Sequence, residues 1–280
     1  MVEAIQYGQV EAMKTLLQVI DGGLERIKIW QEGYQAHHLA AVHNRPEVID
    51  FLVEIGYDIR RDKIGDNTNE RATDEDGCYY PTTAFHLAAM KGSAQALKTL
   101  MKYGFEPDMP DGRGDTALYY AIRDGTYAVV KILLNNGADP HQKMRDHLTP
   151  ASLAISLKRI SIVELLLNAG IVLNGPFENL QPVDIQSFPC VFHDPKHWTI
   201  LKFFLMCELK LSAPLCISVF WGYRQMTKLL LDNGADPNVT DANGLTPLAI
   251  ALRMKYRDIS TILIERGAWL NQTQRDLTAA

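Results

Sequence analysis

The string ILLNNGADP at Ile132–Pro140 returns as LLLDNGADP at Leu229–Pro237, offset by 97 positions, which is close to three times 33. A catalytic motif has no reason to be written twice, whereas a packing unit does. The glycine of this string serves as a ruler. Gly104, Gly137 and Gly170 are 33 apart, as are Gly234 and Gly267. Between Gly170 and Gly234 lie 64 positions, nearly two periods, and between Gly56 and Gly104 lie 48, one period plus 15. A period of this length over nearly the whole chain predicts an array of small stacked units, each too small to bury its apolar faces alone.

Each unit has the same internal order. Thr149-Pro150 and Thr246-Pro247 place a capping hydroxyl before a proline at the first helical position, where the missing N–H of proline is harmless. Thr83-Ala84 and Thr116-Ala117 keep the cap without the proline, and Ala213-Pro214 keeps the proline without the cap. Small residues follow (Ala40-Ala41, Ala88-Ala89, Ala121, Ala154, Ala251), which let a first helix lie close to its neighbours. Gly92, Gly125 and Gly222 are placed to end that helix. A second helix carries an apolar stripe at 3.6-residue spacing, as in Val129, Val130, Leu133 and Leu134. The Gly-Ala-Asp-Pro then stops it, and a polar run leads to the next cap.

The motifs TAFHLAA (Thr83–Ala89), D-x-x-G-x-T-A-L (Asp111–Leu118) and NGADPN…DANGLTPL (Asn233–Leu248) resemble those of the ankyrin-repeat family. That resemblance implies an all-α repeat solenoid of helix–turn–helix units joined by β-hairpin-like turns. The expected organisation is a single domain over 1–280. Its units fall near 1–23, 24–56, 57–104 with an insertion at 60–81, 105–137, 138–170, 171–207, 208–234 and 235–267, and the tail is 268–280. The first unit is a shortened cap, and the sixth is degenerate because it lacks the Gly-Ala end.

Composition narrows the classes of function. The chain is 47% hydrophobic and 22% charged, with a net charge of −5, which argues against phosphate neutralisation as its role. Four cysteines, at 78, 190, 207 and 216, show no C-x-x-C spacing and read as reduced thiols, so the expected location is cytoplasmic or nuclear. No signal peptide or membrane span is expected. No P-loop, G-x-S-x-G, H-E-x-x-H or dinucleotide motif occurs.

His38 and His86 occupy the histidine position of the repeat, where the resemblance implies a structural link between turns. The spacing of Cys190, His193 and His197 admits a zinc site, but Asp194-Pro195 would separate the two imidazoles at a helix start. Asn238 matches a turn asparagine that is hydroxylated in some ankyrin repeats, against which stands an asparagine bonding turn backbone.

The resemblance implies that turn tips and the exposed side of the first helices line a groove for a protein partner. Carried over from the register of each cap, the groove residues are Tyr34, Tyr79, Tyr80, Met90, Arg113, Asp115, Arg123, Arg145, Phe220, Trp221 and Arg253. Tyr, Trp, Met and Arg are the types enriched at interface cores. Tyr79, Tyr80, Phe220 and Trp221 are the expected anchors. The expected function is therefore non-enzymatic protein binding by a monomer, without cofactor, nucleic acid or membrane. The alternative is a small-molecule or metal-dependent enzyme with its pocket at the sixth unit.

Overall fold

The computed structural model describes residues 1–19, 35–60, 83–112, 114–142, 149–171, 173, 213–241 and 244–270. Among these residues there are fourteen helices and no strand. The chain divides into two compact units, Met1–Asp139 and Pro140–Ala280.

In the first unit the helices are α1 (Val2–Gln6), α2 (Val10–Val19), α3 (Ala36–Val42), α4 (Pro46–Glu54), α5 (Ala84–Lys91), α6 (Ala94–Lys102), α7 (Ala117–Asp124) and α8 (Tyr127–Asn135). They pair in sequence. The odd-numbered helices pack side by side in an inner layer and the even-numbered ones in an outer layer. The second unit holds α9 (Pro150–Ser156), α10 (Ile160–Asn168), α11 (Pro214–Phe220), α12 (Arg224–Asp232), α13 (Pro247–Arg253) and α14 (Arg257–Glu265). There α9, α11 and α13 form the inner layer.

The inner helices start where the caps place them. Thr116, Thr149 and Thr246 accept through their hydroxyls from the backbone N–H three residues on. Thr83 is used differently, because its hydroxyl meets His86 Nδ1 at 2.8 Å. Ala40, Ala41, Ala88, Ala89, Ala121, Ala154 and Ala251 are fully buried, as close helix packing requires. The outer helices bury one stripe each, for example Val129, Val130 and Leu133.

The two helix ends differ in backbone geometry. After the outer helices the described turn residue is glycine, with φ between +82° at Gly56 and +91° at Gly137. After the inner helices the angle is smaller, and Asn44, Lys158 and Lys255 take it at φ of 53°, 57° and 60°. Those values lie in the small left-handed well open to L-residues, whereas +91° lies outside it. A Cβ on Gly137 would meet nothing within 4 Å, so the glycine there answers to the backbone angle and not to crowding.

One link recurs between successive inner helices. In four of the turns that follow inner helices, the residue after the left-handed position (Asn44, Gly92, Gly125 or Gly222) reaches back to a carbonyl near the end of the preceding inner helix. Arg45 Nε donates to Gln6 O at 2.7 Å, Ser93 Oγ to Val42 O at 3.1 Å and Thr126 Oγ1 to Ala89 O at 3.2 Å. In the second unit Tyr223 Oη does the same to Ser156 O at 3.4 Å.

Residues 174–212, and with them most of the sixth unit, lie outside the described residues; the inner helices on either side, α9 and α11, pack directly. Among the described residues there are seven helix pairs.

Candidate functional site

The ends of the inner helices and the turns that follow carry most of the expected groove residues that the structure describes. Tyr34, Tyr79, Tyr80, Arg113 and Arg145 lie outside the described residues, as do Cys190, His193 and His197. Met90, at the end of α5, is half-buried. Arg123, at the end of α7, pairs with Asp124 through bonds of 3.2 and 3.1 Å and sits 5.0 Å over the Tyr120 ring. Phe220 and Trp221 are both half-buried and meet edge to face with centroids 4.8 Å apart. Arg253 is exposed, and Met254 beside it is 39% exposed.

Asp115 departs from the expected placement, being fully buried. It closes a tight turn: Asp111 N–H donates to Asp115 O at 2.8 Å, and Asp115 N–H donates to Asp111 Oδ1 at 3.0 Å. With its backbone held at both ends, the side chain turns inward and is not available to a partner. Asp241 builds the same turn with Leu245, at 3.0 and 2.8 Å. These turns fit the hairpin-like connections that the resemblance implies.

The histidines at the repeat's histidine position, His38 and His86, are buried within the fold. His86 Nδ1 meets the Thr83 hydroxyl, and Nε2 donates to Met109 O at 2.9 Å, which fixes the neutral tautomer and ties α5 to the following turn. Burial holds the His38 imidazole well below its ordinary pKa, with His37 adding to the effect. Burial pushes the Cys216 thiol well up, so this buried cysteine is no nucleophile.

Asn238 is also structural. Its N–H bonds Asp236 Oδ1 at 2.9 Å, its amide nitrogen donates to Gly267 O at 3.2 Å, and its amide oxygen accepts from Trp269 N–H at 2.9 Å. It therefore ties its own turn to the next. Among the described residues no group of three or more His, Cys, Asp and Glu side chains could hold a metal ion. No described helix is long and apolar enough to cross a membrane.

Sequence reasoning singled out Phe220, Trp221 and Arg253 but passed over the other basic residues of the same register. Lys158, Arg159 and Lys255 lie in the turns after α9 and α13, Arg224 and Arg257 open α12 and α14 beside those after α11 and α13, and all five are exposed. The signal was available in the pentapeptides SLKRI, FWGYR and RMKYR, which occupy one register of the repeat.

A family model described as "Ankyrin repeats (3 copies)" matches residues 65–144, 85–176 and 191–274, together well over half of the chain. The mouse ankyrin repeat and SOCS box protein 14 is 25% identical over 210 residues, covering 74% of this chain and 33% of that protein. Across the first of the curated relatives it matches, the chain spans between 4% and 33% of their length. Among solved structures, the ankyrin repeat domain of Bcl-3 superposes with a TM-score of 0.62 at 21% identity, covering 85% of this chain and 89% of that one. The human ASB11 ankyrin repeat domain gives 0.62 at 19% identity, covering 96% and 98%. With the period of 33, the paired helices, the capped starts and the D-x-x-G turns, these matches place the chain in the ankyrin-repeat family.

Proposed function

We propose that this chain is a non-enzymatic binding module whose second unit docks a protein partner on the ends of its inner helices. Ankyrin-repeat domains are generally protein-interaction modules, so the class of function follows from the family. The finer reading rests on one observation. Leu157, Trp221 and Met254 occupy the same register at the ends of α9, α11 and α13, and none of them is buried. Residues a few positions earlier on the same helices, Ile155, Val219 and Ala251, are fully buried. Apolar side chains repeated at the surface over neighbouring helices form a patch of the kind a partner covers. Phe220 and Trp221 are its aromatic centre, and Arg253 stands at its edge. In the first unit Met90 and Arg123 hold the corresponding positions.

Alanine at Trp221 tests this reading. Affinity capture with the full chain should lose its partner on Trp221→Ala while the melting temperature stays within about 2 °C of wild type, as for a residue outside the core. The buried Ile217→Ala serves as the core control and should melt well below both. If Trp221→Ala keeps the partner, or melts as low as Ile217→Ala, the patch is not the binding surface.

A further inference from the structure

We infer that the three successive turns after α9, α11 and α13 form a strip that docks an acidic segment carrying apolar anchors; this rests on the protein-binding reading above and narrows it to one chemistry.

The sequence of the turns carries the charge. Residues 156–160 read SLKRI, 220–224 read FWGYR and 253–257 read RMKYR. Together they hold Lys158, Arg159, Arg224, Arg253, Lys255 and Arg257 and no Asp or Glu, in a chain whose net charge is −5. The equivalent five-residue turns of the first unit hold Arg45, Lys91, Arg123 and one acid, Asp124, with Glu11 and Glu47 one position further on. The nearest acid to the third turn is Asp258, in the first turn of α14, where it complements the helix dipole. All six basic residues are exposed. Among the described residues, Lys158, Arg224, Arg253, Lys255 and Arg257 make no ion pair with a carboxylate.

The three turns are physically adjacent. The Tyr223 hydroxyl bonds Ser156 O, and Lys158 Nζ lies 5.4 Å over the Tyr223 ring. On the other side Tyr256 closes against Gly222, where an added Cβ would come within 3.0 Å of the Tyr256 ring. So the basic residues and the row Leu157, Trp221 and Met254 belong to one run of adjacent turns. Helix packing sets neighbouring turns roughly 10 Å apart. Three turns then span about 20 Å, the length of about six extended residues.

A row of apolar anchors with a one-signed charged rim is the arrangement in which charge sets encounter and specificity while the anchors hold the complex. An acidic peptide with Leu, Phe or Trp side chains fits both features. A nucleic acid would use the charge but leave Leu157 and Met254 without a counterpart, and it would approach a chain of net negative charge.

The test uses the full chain and a displayed library of random 12-residue peptides. Enriched peptides are expected to carry more Asp and Glu than Lys and Arg, together with Leu, Phe or Trp. The best of them, made synthetically, should lose affinity about tenfold on Arg224→Glu/Arg257→Glu and again on Trp221→Ala, and should weaken as salt rises. The charge-reversed pair stands at the first positions of α12 and α14, where glutamate suits the helix dipole, so folding is preserved. Enriched peptides without acidic excess, held by the charge-reversed variant but released by Trp221→Ala, would overturn the acidic partner and leave protein binding standing. A library that enriches nothing, with an oligouridylate or phosphatidylserine vesicles bound by wild type and released on charge reversal, would overturn both readings.

Discussion

His37 is a histidine in an apolar residue's place. It occupies the position held by Phe85, Leu118, Leu215 and Leu248 in other units, it is fully buried, and neither ring nitrogen has a hydrogen-bond partner. Its ring lies 4.1 Å from His38 and 5.5 Å from Tyr57 between centroids. Burial lowers its pKa from 6.5 to about 3, with Asp58 opposing the shift. The folded state therefore binds fewer protons than the unfolded chain between those values, so stability falls as pH drops below 6.5 and levels near 3. His37→Leu should raise stability at pH 7 by about 1–3 kcal/mol, the penalty of unsatisfied buried polar atoms, and should flatten the acid limb. Urea midpoints of both proteins at pH 7 and pH 5 check this; an unchanged acid limb would show that His37 does not drive it. Asp108 offers a second case. It holds the position of Asn238 in its own turn and accepts Asp139 N–H on Oδ1 at 3.0 Å, but a carboxylate cannot donate onward as the Asn238 amide does to Gly267 O. Burial raises its pKa, against the Asp139 N–H bond that opposes the shift, so the folded state binds the extra proton and stability falls as pH climbs from the ordinary carboxyl value to the raised one. Asp108→Asn should add about 0.5–1.5 kcal/mol at pH 7 and remove that dependence, by the same urea measurement.

Between elements, stability depends on residues that reach across the stack. Asn44 takes the left-handed turn after α3, and its side-chain oxygen accepts from Gln95 N–H and Ala96 N–H, both at 3.0 Å. It thus caps α6 from the neighbouring unit, a task that the local N-cap residue Ser93 leaves open by bonding Val42 O instead. Asn44→Ala should cost about 1–2 kcal/mol by denaturant titration, from the lost cap and the strained backbone together. The local signals of each element were legible in the sequence, because caps, stop glycines and Asp-x-x-Gly turns act through fixed offsets within one unit. Links between units were less legible. Arg45, Ser93, Thr126 and Tyr223 do one job with four side-chain types, so no residue pattern announces it. Asp115 was misplaced for a related reason: its offset from the cap reads as a turn tip, while its backbone bonds to Asp111 turn the carboxylate inward.

At the scale of each compact unit, contacts run from one helix pair to the next, so an injury should stay near its site. Hydrogen exchange on Asn44→Ala should speed amides in α3–α6 far more than those in α11–α14; uniform acceleration would instead mean that the chain opens as one body. Within the second unit α9 packs directly on α11, although the chain from Asn168 to Pro214 runs about three times as far as from Asn135 to Pro150. Contacts between residues so far apart in sequence cost more closure entropy, which scales with the logarithm of the separation. The meeting of α9 with α11 is therefore the least local junction of the unit, and α11–α14 join the growing fold there late, after each helix pair has formed from its neighbours in sequence.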